Sequence, residues 1–438
     1  EGEYDFTGIR DVNRLMEMAR DLGLWVLARP GPYINAEVSG GGFPMWLLAQ
    51  RDLPLRCRRN GQHEWSDEYM AYVRDWWGQI VPVINRFDNV LMMQIENEYS
   101  TVEVDTEYMQ ALYDLAREMG VKVPLFHNDL FVSGLYADIV DIYAFDNYSV
   151  TQFDTNWRDM PGIFSILDYA EQNLRQFCEN SPLMVAELQA GWFGTWKGHA
   201  YGKIIEHLGR EHIRVSTKSL IGQGLTVFNH YKAIGGTNWN HIGSSETYTS
   251  YDFSAPISES GMPTERLYEA KALNYVLDSF DLAATEREPE DTLGFLPADF
   301  TYVIRRVIQP AAAEHTQPGQ WIFLRNLTDE AQTVRMTGDI DIHIPAYELV
   351  ILPRNITLAC GYTLVACNTE PFYQNGRMLI LKGDRPITAV LDANGAELDD
   401  EARVLIHRRE DGLYQLSSPP VEDGYRRCRI GDLTIYLL

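Results

Sequence analysis

Six short apolar runs, each closing in a cluster of polar and aromatic residues, constrain this chain more than any other feature. They are 24–28, 90–95, 123–126, 139–144, 183–186 and 225–229. Helical patterns separate them. Residues 11–22 (DVNRLMEMARDL) put Val12, Leu15, Met16 and Ala19 on one face of a helix, and Gly23 ends it. Apolar strands alternating with amphipathic helices build a parallel sheet, because each strand must return through a crossover before the next can pair. Residues 1–280 are therefore expected to be α/β. A (β/α)8 TIM barrel needs eight strands, and six are visible. Either the sheet is not a barrel or two strands are missing from this chain.

Beyond residue 280 the texture changes. Residues 281–299 are acidic and carry prolines, which reads as a linker. Residues 300–438 hold short β-rich runs, such as TYVIRRVI, QWIFLRNL, ELVILP, ITAVLD, ARVLIHR and LTIYLL. Turn signals separate them at NGR, KGDRP, ANG and EDG. An antiparallel all-β domain is expected there.

The formal charge is −25. A field of that sign repels phosphate backbones, which excludes nucleic acid as a partner and suits a neutral substrate. No apolar run reaches the roughly 18 residues of a membrane span. The 10 Trp, 24 Tyr and 17 Phe are mostly core material, with some flat faces available to stack on sugar rings. Five scattered cysteines define neither a disulfide framework nor a zinc pair, and Cys360 with Cys367 is the pair near enough in sequence for a bridge. The sequence opens on Glu1 without a signal-peptide pattern and reads as a piece of a longer chain. Compartment and oligomeric state stay open.

In a parallel barrel the chemistry sits where strands end. The six runs end in Arg29–Glu37 (RPGPYINAE), Gln94–Tyr99 (QIENEY), His127-Asn128-Asp129, Phe145–Tyr148 (FDNY), Glu187-Leu188-Gln189 and Asn229-His230-Tyr231. Glu98 and Glu187 stand out. Each follows an apolar strand, where a carboxylate is costly to desolvate unless it has partners or a task. One carboxylic acid to protonate a leaving oxygen and one carboxylate to attack an anomeric carbon is the pair that glycoside hydrolysis needs. Facing carboxylates also push their pKa values apart, which separates the two roles. Retention of configuration would place the two groups about 5–5.5 Å apart. His127 and Asp129 lack a third metal ligand, and no metal or cofactor is expected. Asn147, Asn326 and Asn355 fit the glycosylation triplet, a pattern frequent by chance.

With these residues in place, the chain resembles family 35 of the glycoside hydrolases, the β-galactosidases. The matching segments are the long stretch from EGEYDF through ARPGPYINAEVSGGGFPMWLL, then MMQIENEYS, VPLFHND, AELQAGWFGTWKG and GGTNWNHIGSSETYTSYDFSAPISESG. They span residues 1 to 261 in family order. HIPAYELVILPRNITL resembles the β domain that follows. The resemblance implies a (β/α)8 barrel with the acid/base on strand 4 and the nucleophile on strand 7. If the first visible strand is number 3, Glu98 and Glu187 fall on those strands, and strands 1 and 2 are expected to be absent from the front.

Carried over by position, the resemblance implies Glu98 as general acid/base, Glu187 as nucleophile, and Asn97 as the residue bonded to the sugar 2-hydroxyl. Tyr33, Asn35, Ala36, Glu37, Gln189, Trp192 and Phe253 are implied as substrate-binding, with Trp196 as a further pocket wall; Glu96 reads as structural. The sequence departs from the family's habit at four places. Asn35 stands where Cys is common, Gln189 where some members are aromatic, Phe253 where Tyr is usual and Val38 where an aromatic is usual. The implied activity is retaining exo-β-galactosidase action on a terminal β-galactoside. The alternatives are an exo-β-glucosaminidase, which would need an extra carboxylate near the 2-position, and a sugar-binding relative without catalysis, which would lack one of the two glutamates.

Overall fold

The computed structural model describes residues 2–99, 104–130, 132–151, 153–160, 176, 181–238, 243–244, 247, 249–288, 300–308, 318–336 and 340–438. The chain divides into two compact units. The first takes Glu1–Tyr148, Glu171–Ile204 and Thr226–Met262; the second takes Ser149–Ala170, Ile205–Leu225 and Pro263–Leu438.

The first unit is built on a parallel sheet of six strands in sequence order: β1 (Val26–Ala28), β2 (Val90–Asn97), β3 (Leu125–Asp129), β4 (Ile142–Asn147), β5 (Met184–Gln189) and β6 (Val227–Tyr231). All six apolar runs read from the sequence are strands, and every neighbouring pair is parallel. Strands β3 and β5 are buried along their whole length, as expected of a sheet covered on both faces. One face packs Met92, Phe126, Ile142, Ala144, Met184 and Ala186 together. The other packs Met93, Ile95 and Leu125 with Trp77, Ile80, Leu112 and Ala116. Those four come from the helices α2 (Asp67–Ile84) and α3 (Thr106–Glu118), which follow α1 (Val12–Asp21) in the chain. Each of the two is capped by its own sequence. Ser66 accepts from the Tyr69 amide at 3.1 Å and Asp105 from the Tyr108 amide at 3.0 Å, satisfying donors that a helix start leaves bare.

The α/β class holds, with six strands of the barrel's parallel sheet. Among the described residues β1 and β6 each have one neighbour. On α1, Met16 is buried but Leu15 is 63% exposed, so only part of the apolar face read from the sequence is covered. Since all six strands run the same way, their C-terminal ends share one rim.

The second unit contains the helices Glu211–Gly222 and Glu265–Ser279 and an eight-stranded antiparallel sheet. That sheet starts at Thr285–Arg287, inside the stretch read as a linker, and these residues pair with Arg305–Val307. Residues 289–299 of that stretch lie outside the described residues. A smaller four-stranded sheet contains one parallel pair, Met378–Leu381 with Leu433–Leu437, so this region is not purely antiparallel. The run ARVLIHR is a helix for its first half: Asp399 caps Asp400–Leu405 by accepting from the Ala402 amide at 2.7 Å, and the strand begins at Ile406. Cys360 and Cys367 are both free thiols, so the bridge considered from sequence does not form. Asn326 is fully buried and donates its side-chain amide to Glu330 O at 2.7 Å and Pro345 O at 3.0 Å, which leaves no room for a glycan.

Candidate active site

A hollow of about 110 Å³ opens at the C-terminal rim of the parallel sheet. It brings together eight of the residues expected from sequence: Asn35, Ala36, Glu37, Asn97, Glu98, Glu187, Trp192 and Phe253. Tyr33, Gln189 and Trp196 lie off its wall. Tyr33 donates to Asn35 Oδ1 at 3.1 Å and stacks under the Arg56 guanidinium at 3.8 Å, so it supports the wall from behind. Gly41 must be glycine there, since a Cβ would come within 1.9 Å of the Tyr33 ring. Gln189 is 1% exposed and donates to Gly191 O at 3.2 Å. Trp196 is mostly exposed.

The backbone around the hollow is unusual. Asn35, Ala36, Glu37, Glu98 and Phe253 all take positive φ, between 44° and 61°. Side chains other than glycine adopt this region at a cost of roughly 1–2 kcal/mol each, and such residues collect where a side chain must be aimed. Hydrogen bonds hold them there. Glu37 O accepts from the Ser244 amide at 3.0 Å, Phe253 O from the Trp192 amide at 2.8 Å, and the Glu98 amide donates to Asn128 O at 3.1 Å. The register between β2 and β3 slips between Gln94 and Asn97, just before Glu98, a bulge that redirects the strand end into the hollow.

At the base of the hollow three carboxyl groups meet. One oxygen from each of Glu98, Asp146 and Glu187 lies within 4.8 Å of the others. Such a cluster could share a cation, and Arg29 supplies that charge here. Arg29 Nη2 donates to Glu187 Oε1 and, at 2.7 Å, to Asn97 Oδ1. Tyr148 donates its hydroxyl to Glu187 Oε2 at 2.6 Å. Asn97 Oδ1 also takes Gln94 Nε2 and Asn128 Nδ2, each at 3.2 Å, so its oxygen is saturated. Its Nδ2 is thereby turned toward the hollow, 3.3 Å from Glu98 Oε2.

The environment separates the carboxyls. Burial and then the charge of Glu187 push the Glu98 carboxyl up, against the pull of Asp146, Arg29 and Arg56. Burial, followed by the charges of Glu187 and Glu98, holds Asp146 well above the carboxylate range. Burial and Glu187 likewise hold the Tyr148 hydroxyl well above its ordinary value, so it serves as a donor. Glu96 faces away from the hollow's carboxyls. It accepts from Tyr108 Oη at 2.6 Å and from Arg56 Nη2 at 3.0 Å. His127 is fully buried, and burial depresses it to about 3; its Nε2 accepts from the Tyr99 amide at 3.0 Å, the bond of a neutral structural imidazole.

Sequence reasoning passed over Arg29, Asp146, Tyr148, Tyr231 and Tyr251 as site residues. The first four stand in the strand-end clusters already noted, and that position was the usable signal. Tyr251 sits on a short strand with no such mark; its hydroxyl lies 3.0 Å from that of Tyr231 and donates to Glu37.

Facing carboxyls at the C-terminal rim of a parallel α/β sheet are the layout of a barrel-type glycoside hydrolase. The chain belongs to glycosyl hydrolases family 35, whose model matches residues 1–276. β-Galactosidase A of a Penicillium species is 34% identical to it, over the whole of this chain and 46% of that protein. A β-galactosidase of Aspergillus niger is 36% identical over 61% of this chain and 27% of its own length. A probable β-galactosidase C of Talaromyces marneffei is 30% identical over 79% and 35% respectively. The chain thus spans less than half the length of these relatives.

Proposed function

We propose that the chain carries the reaction centre of a retaining exo-β-galactosidase, with Glu98 as general acid/base and Glu187 as nucleophile. The observation that carries this reading is the close approach of the two carboxyls, one oxygen of each lying within 4.8 Å of the other. Double displacement uses carboxyls about 5–5.5 Å apart, whereas inversion needs roughly 6.5–9.5 Å to admit a water. Arg29 donates to one oxygen of Glu187 and Tyr148 to the other, which fixes the orientation of the carboxyl that would attack an anomeric carbon. Glu98 is raised by burial and by Glu187, which suits a proton donor. Glu98 protonates the departing glycosidic oxygen as Glu187 bonds to the sugar; a water then gives Glu98 a proton as it releases the sugar. Asn97 offers Nδ2 to the 2-hydroxyl, and Glu37 with Asn35 meets the ring hydroxyls.

The choice of galactose rests on the names of the relatives. An amino sugar would call for a free carboxylate at the hollow's wall. Beside Glu98 and Glu187 the carboxyl on the hollow's wall is Glu37, assigned here to the ring hydroxyls, and Asp146 does not line the hollow.

The test is a pair of variants assayed on aryl β-galactosides. Glu187→Gln should abolish turnover of every substrate. Glu98→Gln should spare the first step for good leaving groups, which need little protonation. Equal losses on activated and unactivated substrates in both variants would refute the assignment. A clear preference for β-glucosaminides would overturn the sugar and leave the mechanism standing.

A further inference from the structure

Asp146, at the end of β4, is 5% exposed. Its Oδ2 accepts from Asn128 Nδ2 at 2.8 Å. Its Oδ1 is sealed from solvent, and no donor reaches it among the described residues. A carboxylate oxygen in that state has lost its hydration and gained nothing, whereas a protonated carboxyl turns the same oxygen into a donor. The other two carboxyls of the cluster are close by, one oxygen of each lying within 4.8 Å of an Asp146 oxygen. Glu187 already has both oxygens occupied, by Arg29 and Tyr148. Among the described residues Glu98 has only a long 3.3 Å contact from Asn97 on its Oε2, so it is the carboxyl left with room to accept from Asp146.

We propose that Asp146 is a positioning residue for Glu98: it carries a proton on Oδ1 and donates it in a hydrogen bond to the Glu98 carboxyl. The proposal rests on the reading of Glu98 as the acid/base. The groups facing Asp146 agree with it. Glu98 past β2 and Glu187 on β5 bring negative charge, Arg29 past β1 brings one positive charge, and Asn128 on β3 and Tyr148 past β4 are neutral donors. One guanidinium cannot balance three carboxylates in a buried cluster, so protons must be retained. Burial first, then Glu187 and Glu98, raise Asp146, and Arg29 and Asn128 oppose this without prevailing.

The consequence lies in the first step. As the glycosidic C–O bond breaks and the Glu187–carbon bond forms, Glu98 gives its proton to the leaving oxygen and becomes an anion. The Asp146 hydroxyl stabilises that anion and keeps its own proton throughout. In the second step water supplies the proton that restores Glu98. Asp146 therefore makes Glu98 a better acid and a weaker base.

Two variants of the full chain test this, each assayed on a β-galactosyl disaccharide and on an aryl β-galactoside with a good leaving group. Asp146→Leu removes the donor. It should lower kcat/KM for the disaccharide about tenfold more than for the aryl substrate, and move the basic limb of the pH profile up by about one unit. Asp146→Asn still donates through Nδ2; it should lower kcat/KM several-fold and leave that limb in place. A limb that moves down in Asp146→Asn would mean the native residue is ionised and would overturn the proposal. So would equal losses on both substrates in Asp146→Leu with no shift of the limb. Infrared spectroscopy reads the proton without catalysis: of the two carboxylic-acid bands expected at neutral pH, from Glu98 and Asp146, one should vanish in Asp146→Asn and the other in Glu98→Gln, and an unchanged spectrum in Asp146→Asn would overturn the assignment. If the unmutated enzyme cleaves no β-galactoside, the functional reading fails and the infrared band alone decides the state of Asp146.

Discussion

Tyr148 donates its hydroxyl to Glu187 Oε2 at 2.6 Å while Arg29 holds the other oxygen of the same carboxylate. With both oxygens held, the carboxylate is fixed in one orientation before any sugar arrives. A hydrogen bond to a charged group is worth about 1.5–3 kcal/mol, or roughly ten- to a hundredfold in rate. Tyr148→Phe should therefore lower kcat by that factor for good and poor leaving groups alike, since Glu187 as the proposed nucleophile acts in both steps. Steady-state kinetics on a leaving-group series checks it, and an unaltered kcat would show the hydroxyl to be dispensable.

Stability should fall as pH rises through the range in which the buried carboxyls ionise. Glu98 is raised by burial and by Glu187, and Asp146 well raised by burial and by the same neighbours. A carboxyl raised on folding stabilises the folded state fully below its unfolded value, about 4, and that contribution is lost as pH climbs through the folded value. The melting temperature should decline from mildly acidic pH upward. Glu98→Gln carries no charge, so it should flatten the decline and melt higher than the parent at neutral pH. Thermal melts at a series of pH values decide it; parallel curves for parent and variant would remove Glu98 from the account.

Gly191 lies beneath the loop that carries Phe253. A Cβ at this position would lie 2.0 Å from Phe253 O and 2.9 Å from Ser254 O, both backbone atoms that cannot swing aside. The Trp192 amide bonds to that same carbonyl at 2.8 Å, so the loop cannot lift without losing the bond. Gly191→Ala is expected to cost about 1–3 kcal/mol, the range for overpacking a tight site, and to raise KM more than it lowers kcat. Glu98 and Glu187 lie on other elements and keep their geometry. A variant with unchanged KM and melting temperature would show that the loop moves freely.

The parallel sheet was legible because a strand buried on both faces must be apolar along its length, which stands out in LMMQI and LMVA. The paired glutamates were legible because a carboxylate at the end of such a strand is conspicuous. Asp146 was not, since nothing in FDNY says that its side chain meets two glutamates from other strands. The role of Arg29 was hidden in the same way: its contact with Glu187 spans 158 positions of sequence. Tyr33, beside Asn35 and Glu37 in sequence, reads as part of the wall, and its ring lies against Arg56 and close to the backbone at Gly41. The helix at Asp400–Leu405 reads as a strand because Ala, Val, Leu and Ile in ARVLIHR suit one, whereas Asp399 caps a helix there.

Residues 1–438 expressed by themselves are expected to self-associate. Strands β1 and β6 each present one edge with no strand paired to it among the described residues, and a bare edge recruits other strands. Beside β1, Leu22 is 72% exposed, Leu24 55% and Trp25 66%, and Leu15 on α1 is uncovered as well. Burying a side chain of this size gains about 1.5–3 kcal/mol, so a few of them suffice to drive association. The net charge of −25 opposes it, because copies repel one another at low ionic strength. Salt should therefore promote association by screening that repulsion while leaving the apolar attraction in place. Sedimentation across a salt series is the measurement, with Leu15→Lys, Leu22→Lys and Trp25→Gln combined as the comparison. The triple variant should stay smaller than the parent at every salt concentration. A parent chain that remains monomeric in high salt would show that these edges and side chains are covered in solution.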